Sequence, residues 1–357
     1  MSAKILTVIV PSYNMEAYLP KCLGSVVVAP ALMEKLEVLV VNDGSKDRTS
    51  EIAHGFEAKH PGTFRVIDKA NGNYGSCVNR GLAEATGFYV KVLDADDYVD
   101  TAAFSEYLEA LAEEAGKGDG AADLVVTGCD TVDETGRVTG RMNFGLKASA
   151  TSLGDRRRGD QRFTVHSVTY RTANVRRIGY RQTEGVSYTD LEWIIEPMVT
   201  VRRLRYLPRV VTHYLVGRAG QTMEARTFAR HFNQVADITR GLVARSAERM
   251  AQAEPGAREY FREQVLVAIS QVYMCCTVEP FRKWVAVDLA AFDDFLVGYP
   301  ELYRESEELF VPSNKFPLRH VREWRRRRSA NTLKFVLFRA YKGLMSVVTK
   351  IRRFKMI

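Results

Sequence analysis

Three aspartates lie close together in the sequence, at Asp94, Asp96 and Asp97. They follow Phe88–Leu93, an apolar run whose length and β-propensity predict a buried strand. The acids therefore stand at the carboxyl end of a strand, where open α/β sheets bind ligands. Like charges this close repel one another, and a divalent cation such as Mg²⁺ or Mn²⁺, which prefers oxygen ligands, would neutralise them. The alternative is a solvated acidic turn that caps a helix predicted to start near Thr101.

Two further strand ends carry small polar residues. The first predicted strand, Ile5–Val10, is followed by Pro11-Ser12-Tyr13-Asn14, and the second, Leu36–Val41, by Asn42-Asp43-Gly44-Ser45. A carboxylate and exposed backbone groups at such an edge commonly bind the sugar or base of a nucleoside. Ordinary turn chemistry is the alternative for both loops.

A third loop, Asn71-Gly72-Asn73-Tyr74-Gly75-Ser76, opens a predicted helix around Cys77–Ala85. Glycine-spaced loops of this kind present backbone N–H groups to an anion at a helix N-terminus. The spacing is not that of a P-loop, and the chain contains no Gly-x-Gly-x-x-Gly. Taken alone, this loop indicates little.

The regions of the chain differ in their patterns. Strand and helix signals alternate over residues 1–130, which predicts a mainly parallel α/β sheet with helices on both faces. Residues 131–222 are more polar and mix strand signals with a predicted helix over Asp190–Val201. Residues 223–314 have a helical pattern, with an apolar row formed by Phe228, Phe232, Val235, Ile238 and Leu242. Residues 315–357 form a basic tail.

Positive charge is concentrated in that tail. Fourteen of the 51 basic residues lie in residues 315–357, where Glu323 is the single acidic residue and arginine occupies positions 325–328. One helical face then carries Leu333, Leu337, Tyr341, Leu344, Val348 and Ile351, and the opposite face carries Arg339, Lys342, Lys350 and Arg353. A basic amphipathic helix is typical of binding to an anionic membrane surface, which we predict for residues 322–357. Packing on protein is one alternative and nucleic-acid binding another, and we expect no nucleic-acid partner.

The composition excludes several other classes. No run of 18 apolar residues occurs, so no transmembrane helix is expected, and the N-terminus does not resemble a signal peptide. The five cysteines lack metal-ligand spacing and are expected to be reduced thiols. We therefore predict a cytoplasmic protein that binds peripherally to the inner face of the plasma membrane.

The combination of motifs is more specific than any one of them. Val-Pro-Ser-Tyr-Asn at 10–14, Val-Asn-Asp-Gly-Ser at 41–45, Asn-Gly-x-x-Gly-x-x-x-Asn-x-Gly at 71–81 and Leu-Asp-Ala-Asp-Asp at 93–97 occur in order. This order strongly resembles the family 2 glycosyltransferases, which are inverting enzymes of the GT-A fold that use nucleotide-activated sugars. The resemblance is dense over residues 5–100 and thinner to about residue 220.

The resemblance implies roles for individual residues. Asp94 matches the first acid of the family's Asp-x-Asp motif, near the ribose or the metal, and Asp96 matches the principal ligand of Mn²⁺ or Mg²⁺. The motifs that bind the nucleotide correspond here to Pro11, Tyr13, Asn14, Asp43, Ser45, Asn71, Gly75 and Asp94.

The family also places a catalytic carboxylate in an acceptor-side Glu-Asp pair at the start of a helix. The best match is Thr189-Asp190, which gives Asp190 as the base. Because threonine replaces the glutamate, Glu184 and Glu192 remain alternatives, and helix capping is the non-catalytic interpretation. Arg218 and Gln221 lie in Gly-Arg-Ala-Gly-Gln-Thr, which resembles a segment of some members, and are candidates for contacting the diphosphate or the acceptor.

The resemblance therefore implies a metal-dependent inverting glycosyltransferase. Its expected donor is a UDP- or dTDP-sugar, and its expected acceptor is a hydroxyl of a lipid-linked glycan or a cell-surface polysaccharide precursor. A degenerate sugar-nucleotide-binding or membrane scaffold protein is one alternative. A sugar nucleotidyltransferase is another, although the loop after the first strand lacks the glycines and arginine it needs. Homo-oligomerisation is left open.

Overall fold

The computed structural model describes residues 4–156, 162–218, 225–311 and 317–354. The chain divides into two compact units, residues 1–221 with 248–261 and residues 222–247 with 262–357. The five cysteines are free thiols, as expected.

The first unit is built on one nine-stranded sheet. Its strands are β1 (Leu6–Ser12), β2 (Leu36–Asn42), β3 (Phe64–Asp68), β4 (Tyr89–Val92), β5 (Tyr98–Val99), β6 (Leu124–Val132), β7 (Val138–Arg141), β8 (Val168–Arg171) and β9 (Leu204–Leu215). The order is β3-β2-β1-β4-β8-β6-β9-β5, with β7 beside β6. Strands β1 to β4 pair in parallel, as do β6 and β9, whereas β8 runs antiparallel between β4 and β6. The predicted mainly parallel α/β sheet is confirmed.

The strand order places a ligand crevice beside β1. Strands β2 and β3 lie on one side of β1 and β4 lies on the other, so the order reverses between β1 and β4. Every residue of β1 and β2 is buried, which is why both are continuous apolar runs. Ligands of open α/β sheets bind outside the carboxyl ends of the strands at such a reversal. The loops after β1, β2 and β4 all open at this edge.

The helices of the two units are α1 (Leu19–Ser25), α2 (Pro30–Met33), α3 (Thr49–Lys59), α4 (Asn73–Glu84), α5 (Thr101–Gly116), α6 (Thr172–Arg177), α7 (Asp190–Trp193), α8 (Ala225–Arg230), α9 (Phe232–Ala251), α10 (Pro255–Thr277), α11 (Leu289–Val297), α12 (Pro300–Ser306), α13 (His320–Arg327) and α14 (Leu333–Phe354). The single helix predicted over residues 190–201 is instead α7 followed by a separate 3₁₀ helix, Glu196–Thr200. Pro197 explains the break, because proline lacks the N–H that a continuous α-helix needs.

The second unit is helical, as predicted. All five members of the apolar row that begins at Phe228 are buried. Asp293, also fully buried, accepts a hydrogen bond from Arg325 Nε at 2.6 Å and lies 3.1 Å from Arg328 Nη1. Of the arginine run, only Arg325 is therefore largely buried, while Arg326, Arg327 and Arg328 are exposed, although Arg328 also reaches Asp293.

The start of helix α14 makes contacts within the protein. Phe335 and Phe338 are buried, and Arg339 donates to the carbonyl oxygen of Thr277 at 2.8 Å. The predicted apolar residues Leu333 and Leu337 are instead 72% and 60% exposed. The start of α14 therefore packs on protein and also presents an apolar surface. None of the described helices combines the length and the apolar content needed to cross a bilayer.

Asp293→Ala should lower the free energy of unfolding by about 3–5 kcal/mol, because it leaves the buried Arg325 guanidinium without its carboxylate. Urea unfolding monitored by circular dichroism measures this. Asp237→Ala is the control, since Asp237 makes an exposed pair with Arg240 on the surface of α9, and it should cost less than about 1 kcal/mol. Equal losses in the two variants would contradict the structural role of Asp293.

Candidate active site

The three aspartates after β4 occupy different surroundings. Asp94 is partly buried and accepts a hydrogen bond from Tyr74 Oη at 2.8 Å. Asp97 is 1% exposed, and its Oδ1 accepts the backbone N–H of Leu215 at 2.9 Å. The residue that caps α5 is Asp100, whose side chain accepts from the N–H of Ala103. The alternative that the three aspartates serve as a helix cap is therefore wrong.

Burial makes this cluster costly to charge. It raises the pKa of Asp94 to about 7, with the neighbouring Asp97 and Asp96 adding to the effect. Burial also raises the pKa of Asp97 well above its usual range. Desolvation and like charge both disfavour the ionised carboxyls, so a positive partner at this site would be strongly stabilised.

His166 joins the cluster from the other side. Its Nδ1 lies 2.9 Å from Asp97 Oδ2, and its ring stacks on Tyr214 with centroids 4.2 Å apart. Burial lowers the pKa of His166. Lys91, in the middle of β4, is buried and donates to the backbone oxygen of His166, and burial lowers its pKa to about 8. Neither His166 nor Lys91 was predicted, because each is a lone polar residue in a strand-like run.

Asp96, the predicted metal ligand, is paired with Arg218. Arg218 Nε donates to Asp96 Oδ2 at 2.7 Å, and both side chains are about 15% exposed or less. The guanidinium also lies 5.2 Å from the ring centroid of Tyr18. The structure thus brings two predicted residues together, with the arginine supplying a positive charge to the cluster. Gln221, the other candidate of that segment, lies outside the described residues.

A divalent cation fits the donors present. Asp94, Asp97 and His166 each place a ligand atom within 4.8 Å of the others. Carboxylate oxygens are the donors that Mg²⁺ and Mn²⁺ prefer, and Mn²⁺ also accepts imidazole. The group that converges includes Asp97, whereas the sequence favoured Asp96 beside Asp94.

The loops after β1 and β2 are tied to each other. The N–H of Asn14 donates to Ser45 Oγ at 3.0 Å, and the N–H of Lys46 donates to Asn14 Oδ1 at 2.8 Å. Pro11 is buried in β1 beside Val41 of β2, whereas Tyr13 is 45% exposed. The hydrogen bonds between the two loops fix the position of the exposed tyrosine. A fixed, exposed aromatic ring is a suitable surface for stacking a planar base.

Asp43 lies at the same edge but is almost fully buried. Its Oδ1 accepts from Lys69 Nζ and from the N–H of Gly72 at 3.0 Å, while Asn71 Nδ2 donates to its backbone oxygen. Gly44 has a φ of 72°, and an added Cβ would lie 3.2 Å from the Asn71 nitrogen. These contacts fix the carboxylate, and they pair it with Lys69, which was not predicted.

The loop at Asn71–Ser76, which the sequence suggested as an anion site, also packs against another part of the chain. An added Cβ at Gly75 would lie 2.1 Å from the carbonyl oxygen of Thr183. One turn later, Asn79 exchanges two hydrogen bonds with the backbone of Gln182, at 2.9 and 2.8 Å, and the N–H of Gly185 donates to Gly72. The face of α4 that carries Gly75 and Asn79 therefore holds residues 182–185, the segment that leads to α7.

Asp190 is the first residue of α7. Its side chain is accessible to solvent, yet the surrounding protein raises the pKa of its carboxyl through desolvation, against the opposing charges of Arg162 and His166. Burial is the main cause of the raised pKa of Tyr74 and of Tyr214, and the charge of Asp190 is a smaller contribution to both. An accessible carboxylate whose pKa is raised can accept a proton from a hydroxyl group.

Glu192 and Glu184, the two alternatives to Asp190 as the base, both form hydrogen bonds within the protein. Glu192 is 1% exposed and accepts from the N–H of Thr183 at 2.8 Å and from its hydroxyl at 2.9 Å. Glu184 is exposed and bonded to Asn79 and Arg181.

Comparisons with known proteins show which proteins the chain resembles. Residues 7–176 match the family model described as Glycosyl transferase family 2. An uncharacterised glycosyltransferase of Mycoplasma pneumoniae, the MG060 homologue, is 28% identical over 265 residues, which cover 73% of this chain and 84% of that protein. The minor teichoic acid biosynthesis protein GgaB of Bacillus subtilis is 31% identical over 149 residues, or 42% of this chain and 16% of that protein.

The chain spans only part of several relatives. Two further curated glycosyltransferases are 37% and 40% identical to it, but the alignments cover about a third of their lengths, 33% and 34%. Among solved structures, residues 1–349 of S. aureus TarS superpose with a TM-score of 0.56 at 18% identity, covering 88% of this chain and 95% of that one. This likeness shows a shared fold. TarS has also been solved with UDP and with UDP-GlcNAc.

Asp94→Asn should stabilise the protein in the absence of divalent cations. The raised pKa means that the folded state resists losing this proton, so ionisation of Asp94 destabilises the fold increasingly as pH rises from about 4 to about 7. The gain in melting temperature of the variant over the wild type, measured in EDTA, should grow over that range and then level off. A gain that shrinks as pH rises would contradict the raised pKa.

Gly75→Ala should destabilise the protein by about 1–3 kcal/mol, because the methyl group meets the Thr183 carbonyl oxygen. Gly55→Ala in α3 is the matched control. Its methyl group meets no described atom within 4 Å, so it should stabilise by about 0.5–1 kcal/mol. Urea unfolding tests both, and a neutral Gly75→Ala would show that the two segments do not pack closely.

Proposed function

Because the chain carries a family 2 glycosyltransferase domain over residues 7–176, we propose that it transfers a sugar from a nucleoside-diphosphate donor to a hydroxyl acceptor. The observation that carries the proposal is the acid cluster at the β1/β4 reversal, where ligand atoms of Asp94, Asp97 and His166 lie within 4.8 Å of one another. One side of the crevice then binds the donor diphosphate, and the other activates the acceptor.

The donor we propose is a UDP-sugar, with a dTDP-sugar as the alternative. The structurally similar TarS binds UDP and UDP-GlcNAc. The exposed Tyr13 and the fixed Asp43 provide a stacking surface and a carboxylate at adjacent strand ends. These are the groups that a uracil or thymine base needs for stacking and for pairing its N–H.

The cofactor we propose is Mn²⁺ or Mg²⁺, held by Asp94 and Asp96, with Asp97 and His166 close enough to Asp94 to contribute further ligand atoms. When bound, such an ion stabilises the negative charge that develops on the departing diphosphate. Arg218 already holds a positive charge against Asp96 at 2.7 Å. If the ion takes that carboxylate, the guanidinium becomes available for the diphosphate oxygens, which arginine binds well.

Asp190 acts as the base in this proposal. It accepts the proton of the acceptor hydroxyl while the hydroxyl oxygen forms a bond to the anomeric carbon. The bond from that carbon to the diphosphate oxygen breaks, and its electron pair leaves with the nucleoside diphosphate. One displacement without a covalent intermediate inverts the anomeric centre. The raised pKa of Asp190 favours its acceptance of the proton.

For the acceptor we propose a lipid-linked glycan or a cell-surface polysaccharide precursor, met at the inner face of the plasma membrane. The relative GgaB is named for minor teichoic acid biosynthesis. The exposed Leu333 and Leu337 at the start of α14 supply an apolar surface for peripheral membrane contact. The chain contacts no nucleic acid in this proposal.

Asp190→Asn should lower the rate of UDP release from the best UDP-sugar by about 10²–10⁴-fold, since general-base catalysis contributes that much. Donor binding, followed as thermal stabilisation by UDP with Mn²⁺, should stay unchanged. Asp96→Asn should instead abolish the metal-dependent part of that stabilisation.

Glu184→Gln is the control for the base and should leave the rate within a few-fold of the wild type. A loss equal to that of Asp190→Asn would move the base to Glu184. Donor binding by the wild type without turnover of any UDP- or dTDP-sugar would instead favour the degenerate binding protein.

A further inference from the structure

The second unit contains a cavity of about 950 Å³ between the start of α14 and helix α13. Volumes of several hundred cubic ångströms are typical of ligand sites. Its lining combines five apolar residues with four basic ones and one acid, and consists of Phe310, Pro317, Leu318, Leu337, Phe338, Arg319, Arg322, Arg326, Lys334 and Glu323. None of these residues belongs to the candidate active site.

Helical spacing explains why basic and apolar side chains line the same cavity. Arg319, Arg322 and Arg326 stand at positions i, i+3 and i+7 and therefore share one face of α13. Lys334 and Leu337 are three residues apart on α14 and likewise share a face. The two faces meet across the cavity, so four basic side chains gather at one apolar wall.

The basic side chains remain available to an outside anion. Arg319 lies 3.2 Å from Glu308, Arg322 also bonds Glu308, and Lys334 lies 3.4 Å from Glu323. The side chains of these three cations are about half exposed or more, so their ion pairs are weak and are readily exchanged for a phosphate. Arg326 is exposed as well. The lining therefore keeps a net positive charge, although Glu323 within it and Glu307 and Glu308 beside it reduce that charge.

The apolar wall continues onto the surface of the protein. Leu337 lines the cavity and is 60% exposed, and beside it on α14 Leu333 is 72% and Val336 is 47% exposed. Phe310, on the opposite rim, is 57% exposed. Four large apolar side chains exposed around a basic cavity mark an interaction site rather than an ordinary surface.

We propose that this cavity binds one anionic membrane phospholipid. The lipid phosphate lies among Arg319, Arg322 and Arg326, and an acyl chain follows Leu318, Leu337 and Phe338 into the cavity. The exposed apolar row of α14 then contacts the neighbouring lipids. The charge of the rim and its continuity with that row favour a lipid over a second copy of the chain or a soluble phosphate. This inference rests on the membrane contact proposed above and gives it a specific ligand.

The test is calorimetric titration of the full chain with short-chain phosphatidylglycerol kept below its critical micelle concentration. We expect saturable binding of one molecule per chain. Arg322→Gln combined with Arg326→Gln should weaken it about 25-fold, at about fivefold for each cation. Leu337→Asn should weaken it about tenfold, because the acyl chain loses an apolar partner.

Lys283→Gln and Val297→Asn are the matched controls, since both residues are exposed in the second unit outside the cavity lining, and both should bind like the wild type. Short-chain phosphatidylcholine should bind more weakly, and glycerol 3-phosphate should not bind measurably. Equal binding of phosphatidylcholine, equal binding of glycerol 3-phosphate, or variants that bind as tightly as the wild type would each overturn the proposal.

The same variants separate this proposal from the transferase. Thermal stabilisation by UDP with Mn²⁺ should be unchanged in all of them, because they lie outside the candidate active site. If UDP fails to stabilise the wild type while phosphatidylglycerol binds, the donor proposal fails and the lipid site stands. If UDP stabilises the protein and no lipid binds, only the lipid site fails.

Discussion

Three carboxylates lie within four residues in a partly buried crevice, so the surrounding protein must compensate their negative charge and lost hydration. Each acid has a different partner: Tyr74 donates to Asp94, Arg218 pairs with Asp96, and the N–H of Leu215 donates to Asp97. Burial still raises the pKa of Asp94 to about 7. The protein alone therefore neutralises the negative charge of the three aspartates incompletely. This property is expected of a site that binds a cation.

A second dependence joins helix α4 to the segment that leads to α7. Gly75 and Asn79, on one face of α4, hold residues 182–185 by close packing and by paired hydrogen bonds. Glu192 of α7 bonds the same segment through Thr183. The position of Asp190, at the start of α7, therefore depends on α4. If the proposed roles hold, a small displacement of α4 changes both donor binding and the position of the base.

Much of this was predictable where local pattern decides structure. Strand β2 begins at the predicted Leu36 and ends at Asn42, one residue after the predicted Val41, because its apolar run and the turn residues after it are local signals. The acid cluster was predictable for the same reason, since a buried strand and the acids after it are contiguous. Asp190 came from the family resemblance, and the structure places it at the start of α7.

Contacts between distant segments were not predictable. His166 meets Asp97 only because β8 inserts antiparallel between β4 and β6, and no local pattern shows that order. Lys69 and Asp43 form an ion pair between the ends of two strands. Gly75 allows close contact with the backbone of Thr183, which lies more than a hundred residues away in the sequence. In the tail, periodicity revealed the amphipathic character of α14. Which apolar residues pack and which stay exposed was set by the tertiary contacts of Phe335 and Arg339.

We propose that Arg218 neutralises Asp96 until the donor complex supplies a cation. A crystal structure with UDP and Mn²⁺ is the decisive test. We expect Asp96 to coordinate the ion and the Arg218 guanidinium to have moved from Asp96 to the diphosphate. A nucleotide bound while the 2.7 Å contact between Arg218 and Asp96 stays intact, with the ion elsewhere, would contradict it.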